Sequence, residues 1–145
     1  MGRPPSYDHT MLLREIIDCL WERGYAATPI SVIVQETGVN AASLYARFGS
    51  KKGIMLAALD LYAKGTIDAL EALLAATQPG AGQVRAILEH AIGSFEDPRA
   101  RGCFLVNTVT NISTDTPDFA MAVADYMEQI RGRIKDALKR APGLR

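Results

Sequence analysis

Apolar residues recur along this chain at three- and four-residue intervals, and no stretch alternates with period two, so the pattern predicts helices throughout and no strands. Leu13, Ile16, Ile17 and Leu20 mark a first helix from about Asp8 to Arg23, stopped by Gly24. Thr28-Pro29 reads as an N-cap followed by proline at the first helical position. Ile30, Ile33, Val34 and Thr37 form the inner stripe of that short second helix, which ends at Gly38. Asn40 is placed to cap a third helix whose Leu44 and Phe48 face inward at i, i+4 spacing. Ser50 begins a long fourth helix, running to about Ala76 on a stripe of Leu56, Leu59, Ala63, Ile67, Leu70 and Leu74. Gly65 sits inside it at a cost of about 1 kcal/mol relative to alanine, which points to a bend or close packing.

Gln78-Pro79-Gly80-Ala81-Gly82 is the clearest linker. Beyond it, Val84, Ile87, Leu88, Ala91, Ile92 and Phe95 define a fifth helix, broken by Asp97-Pro98. Gly102 to Ile112 is apolar enough for a buried sixth helix. Thr116-Pro117 repeats the cap-plus-proline signal and opens a seventh, which carries Phe119, Val123, Tyr126, Ile130, Ile134 and Leu138 and ends at Ala141-Pro142-Gly143. The expected fold is therefore all-α with seven helices. Residues 1–50 are expected to form a three-helix helix-turn-helix DNA-binding domain, and 51–145 a helical ligand-binding and dimerisation domain.

Length and composition suit this picture: 145 residues, 48% of them hydrophobic and 22% charged, are enough for a packed core. No apolar run is as long as a membrane span, and the N-terminal MGRPPSYDH lacks the apolar core of a signal peptide, so a cytoplasmic location is expected. Net charge is zero, so bulk charge does not announce a nucleic-acid partner, but residues 40–52 hold Arg47, Lys51 and Lys52 and no acid. Cys19 and Cys103 fall in apolar helical patterns and read as unpaired thiols, and Cys103 as a buried, inert one. The histidines, His9 and His90, stand apart, and no metal-ligand spacing, cofactor motif or catalytic set of Ser-His-Asp, Cys-His or paired carboxylates can be assembled. No enzyme is expected.

The informative stretch is residues 28–52, where two short helices are joined by a tight turn with Gly38 at the reversal and Val39 tucked into a small core. A helix-turn-helix serves DNA because its second helix stands clear of the domain and fits the major groove. At ~100° per residue, Ala42 and Ala46 lie nearly opposite Leu44, flanked by Ser43 and Tyr45. Small side chains let a helix approach base edges, and an alanine methyl can touch a thymine methyl. Tyr45, the amides near Asn40 and Lys51 are placed to hold phosphates on either side.

With Gly24-Tyr25, Thr28, Gly38-Val39, Leu44-Tyr45, Phe48 and Ser50-Lys51 in fixed order, residues 8–62 resemble the TetR family of regulators. The resemblance implies phosphate contacts from Thr28, Tyr45 and Lys51, and places Ala41, Ala42 and Arg47 nearest the bases or backbone. Arg3-Pro4-Pro5 looks like the short basic arm that some members extend to DNA. Gly53 departs from the glutamate often found there, which removes the capping-box partner of Ser50. Family chains are usually longer, with two further C-terminal helices forming a dimeric four-helix interface. Nothing after Leu138 supplies them, so the expectation is a truncated chain or a different dimer.

The second half resembles the family's variable ligand domain, with Arg101-Gly102-Cys103-Phe104-Leu105-Val106-Asn107 similar to one subgroup's Gly-Cys start to its sixth helix. The resemblance implies a pocket in that region, whose ligand shifts the fourth helix. Phe95, Cys103, Phe104, Asn107, Tyr126 and Met127 are its candidate lining, with Asn107 the polar member whose amide needs a ligand or backbone partner. The function implied is a repressor released from a palindromic double-stranded operator by a small molecule, acting as a homodimer with no membrane partner. The alternatives are a DNA-binding regulator without an effector, a redox-responsive one using Cys103, and a helical protein-interaction module that does not bind DNA.

Overall fold

A computed structural model describes residues 8–94, 96, 98–111 and 116–141. Among the described residues there are seven α-helices and no strand: α1 (His9–Arg23), α2 (Ile30–Thr37), α3 (Ala41–Phe48), α4 (Lys51–Ala76), α5 (Ala81–Ser94), α6 (Phe104–Thr110) and α7 (Pro117–Lys139). Contacts divide the chain into two compact units, Met1–Leu61 and Tyr62–Arg145, and α4 supplies residues to both. None of the described helices is long and apolar enough to cross a membrane.

In the first unit, Asp8 caps α1 by accepting from the Thr10 amide at 3.0 Å. The inward stripe of α1 (Leu12, Leu13, Ile16, Ile17 and Leu20) is buried together with Ile33 of α2, Leu44 of α3, and Ile54, Met55, Ala58 and Leu59 of α4. A fully buried Leu or Ile contributes about 1.5–3 kcal/mol, so this stripe supplies most of the unit's cohesion. By comparison, the exposed Arg23–Glu36 ion pair at 2.9 Å, which ties α1 to α2, contributes about 1 kcal/mol at most.

The start of α2 departs from the sequence expectation. Its first residue is Ile30, and its N-cap is Pro29, which has no side chain to donate or accept. Thr28 does not cap the helix; it is 0% exposed and its hydroxyl donates to the Gly24 carbonyl at 2.7 Å, closing the loop after α1. At the other end Gly38 takes the left-handed conformation (φ 68°) that a side chain disfavours, and its amide closes on the Val34 carbonyl at 2.9 Å. Buried Thr37 fixes this turn. Its hydroxyl donates to the Ile33 carbonyl at 2.7 Å and accepts from the Val39 amide at 3.2 Å.

In the second unit, buried Gln83 reaches back from the first turn of α5, its Nε2 donating to the Leu74 and Thr77 carbonyls at 2.8 and 3.3 Å. It thereby satisfies carbonyls that the end of α4 leaves open. α6 packs on α7, and Phe104 and Leu105 of α6 and Phe119 and Val123 of α7 are buried. Arg133 of α7 holds Glu71 of α4 at 2.6 Å.

Two expectations from periodicity change here. The stripe of α5 is not a core face: Leu88 is 58% and Ile92 62% exposed, because helical spacing marks an apolar side without saying what covers it. Gly65 is exposed with open space where a side chain would stand, so close packing does not account for it.

Candidate nucleic-acid interface

The candidate interface is α3 with the starts of α3 and α4, and local sequence explains how it is held. Asn40 caps α3 by accepting from the Ser43 amide at 2.8 Å, and Ser50 caps α4 by accepting from the Gly53 amide at 3.0 Å. Between them Leu44, 0% exposed, pins α3 to the core, while Phe48 stacks on His9 of α1 with ring centroids 5.6 Å apart. One side of α3 is therefore fixed by packing. The opposite side carries Ala42, Ser43, Ala46 and Arg47, all exposed, with Tyr45 40% exposed and Ala41 half-buried.

The turn from α3 into α4 is tight enough to decide one residue type. A Cβ built on Gly53 would fall far inside contact distance of the Phe48 carbonyl oxygen. Gly53 is thus the residue that lets the chain turn closely after α3, and a glutamate in its place would displace that carbonyl.

Lys51 is half-buried at the first turn of α4, with its ammonium 4.3 Å above the centre of the Tyr25 ring. That is a cation–π distance. Burial lowers its pKa from the usual lysine value. Sequence reasoning placed Tyr25 as a family anchor and missed this contact; the intervening residues conceal that the loop after α1 meets the start of α4.

The structure brings Asn40, Ala41, Ala42, Ser43, Tyr45, Arg47 and Lys51 together along α3 and the start of α4. Thr28 is the exception: with the residue fully buried and its hydroxyl committed to Gly24, its side chain is withheld from any phosphate. Arg3 lies outside the described residues.

The described candidates for ligand contact fall in the second unit. Cys103 does not lie inside a buried helix as expected. It is half-exposed at the N-cap of α6, because the helix starts only at Phe104. Tyr62 lies beside it. Burial, reinforced by the Cys103 thiol at its hydroxyl, pushes the Tyr62 pKa from 10.0 up to about 12. Phe104 is buried with its ring edge-on to Tyr62, centroids 5.4 Å apart. The Asn107 amide finds a backbone partner, donating to the Arg101 carbonyl at 2.5 Å. Tyr126 and Met127 are half-buried on α7, and Phe95 lies outside the described residues. Sequence reasoning did not anticipate an open cleft of about 370 Å³ lined by Glu71, Leu74, Ala75, Arg133, Asp136 and Arg140.

Comparison with known proteins matches this architecture. A family profile described as "Bacterial regulatory proteins, tetR family" matches residues 12–58. The chain is 32% identical over 123 residues to the HTH-type transcriptional repressor ComR of Escherichia coli (strain K12), covering 82% of this chain and 58% of that protein. It is 27% identical over 138 residues to the HTH-type transcriptional regulator YezE of Bacillus subtilis (strain 168), covering 94% of this chain and 69% of that one. Among solved structures, a cysteine-substituted form of the TetR family transcriptional regulator CifR, complexed with 26-bp double-strand operator DNA, superposes with a TM-score of 0.76 at 24% identity over 95% of this chain and 75% of CifR. The TetR family transcriptional regulator PfmR from Thermus thermophilus superposes with a TM-score of 0.65 at 26% identity over 92% of this chain and 70% of PfmR.

Proposed function

The chain belongs to the tetR family of bacterial regulatory proteins, a family of regulators and not of enzymes, and from that premise we infer that it controls transcription by binding double-stranded DNA through α3. The observation that carries this reading is the exposed, small-residue face of Ala42, Ser43 and Ala46, standing opposite fully buried Leu44 and flanked by Tyr45 and Lys51. A face of that shape fits the major groove, and its rim offers a hydroxyl and an ammonium for phosphates. The first unit, Met1–Leu61, acts as the DNA-binding domain and the second, Tyr62–Arg145, as the ligand-binding and assembly domain, in the cytoplasm. The boundary expected at residue 50 moves into α4 because Ile54, Met55, Ala58 and Leu59 are buried with the first unit's core. The operator is palindromic because the working form is a homodimer.

Selection of bound duplexes from a random pool tests the interface. The wild-type chain enriches a defined sequence, and Ala42→Leu shifts which bases are preferred. A uniform loss across all duplexes would remove Ala42 from the base-facing set.

A small molecule bound by the second unit releases the operator, which makes the protein a repressor. Support comes from the half-buried side chains of Cys103, Tyr126 and Met127, and from ComR being named a repressor. A redox-responsive version of the same regulator is favoured by one observation, the half-exposed Cys103 thiol beside Tyr62. It requires oxidant-sensitive DNA binding that Cys103→Ser abolishes.

A further inference from the structure

The ammonium of Lys51, 4.3 Å above the Tyr25 ring, is held at the first turn of α4, which follows directly on α3 with its exposed Tyr45 and Arg47. A lysine side chain has many rotamers, and docking it on a phosphate ordinarily fixes several of them at once. An aromatic face attracts the cation through its quadrupole, yet takes none of the three N–H donors in a conventional hydrogen bond. The ring thus restrains the stem without using up the donors that a phosphate would take.

We propose that Tyr25 is a positioning residue for DNA binding, holding Lys51 over its ring in the place where a backbone phosphate is met. The proposal rests on the DNA-binding reading above and goes beyond it, because Tyr25 itself touches no nucleic acid. Its ring orders the lysine in the free protein, so that docking a phosphate loses less side-chain freedom. Partial burial of Lys51 strengthens the attraction, since a less hydrated ammonium feels the ring more. The role needs an aromatic ring of ordinary polarity and no phenolic hydroxyl.

The test is a double-mutant cycle on the full chain, read by fluorescence anisotropy on a labelled mixed-sequence duplex of about 30 base pairs at about 50 mM salt, where phosphate contacts dominate binding. Tyr25→Leu is expected to weaken binding about three-fold, the size of a modest cation–π contribution. Tyr25→Phe restores wild-type affinity, and Tyr25→Leu adds no further loss when Lys51 is already methionine. Tyr25→pentafluorophenylalanine keeps the ring's bulk and packing while removing its negative face, and it is expected to behave like Tyr25→Leu with an unchanged melting temperature. Equal losses from Tyr25→Leu with and without Lys51→Met would overturn the role, as would pentafluorophenylalanine binding like phenylalanine. Wild-type protein that binds no duplex would overturn the DNA-binding reading itself, which separates the two failures.

Discussion

A single buried hydroxyl separates family resemblance from this chain's own chemistry. Thr28 stands where the resemblance implies a phosphate contact, yet it is fully buried and donates to Gly24. Thr28→Val, close in volume, is therefore expected to destabilise the first unit by about 1 kcal/mol through the lost hydrogen bond, measured by urea unfolding. Duplex affinity of the folded variant is expected to stay at the wild-type value; a selective loss of affinity would restore Thr28 to the contact list. Tyr62 gives a pH signature of the second unit. Its neutral form is favoured in the folded state, with a pKa of about 12 against an ordinary 10.0. As pH rises through that interval the unfolded chain ionises first, so the stability this group contributes is complete below pH 10 and is lost towards pH 12. Tyr62→Phe is expected to flatten that fall in a series of melts between those two pH values.

At the scale of elements, spacing and caps told most of the story. The boundaries of α3, α4 and α7 follow Asn40, Ser50 and Thr116-Pro117, and the first two caps make the side-chain bonds their residue types predict. The inward stripe of α1 was legible because every buried position recurs at three or four residues. What could not be read were relations across the chain. The exposed flank of α5, the placing of Lys51 over Tyr25 and the burial of Thr28 all depend on which segment meets which, and periodicity carries no such information. The same holds for Gly53, whose sequence reading was a missing capping partner. Its structural reason is the Phe48 carbonyl lying where a Cβ would go. Gly53→Ala is accordingly expected to cost about 1–3 kcal/mol, the usual range for overpacking, although alanine is the better helix former. A gain in melting temperature would contradict the close turn.

For the whole molecule, zero net charge and a DNA-binding role are compatible because the basic groups are local: Arg47, Lys51 and Lys52 lie within a stretch of 40–52 that contains no acid. The proposed function draws affinity from a few phosphate contacts around Tyr45 and Lys51, and sequence preference from the slim face of α3 and from DNA shape. The chain spans 58% of the length of ComR and 69% of YezE, and the function proposed above assigns DNA contact to α3 of the first unit and none to α5 of the second. The central claim is tested most directly by photocrosslinking to a bound duplex from a diazirine amino acid placed at Ala42 and, separately, at Leu88. The account predicts efficient crosslinks from position 42 and none above background from position 88. Duplex binding without a crosslink from position 42, or with equal crosslinks from both, would contradict it.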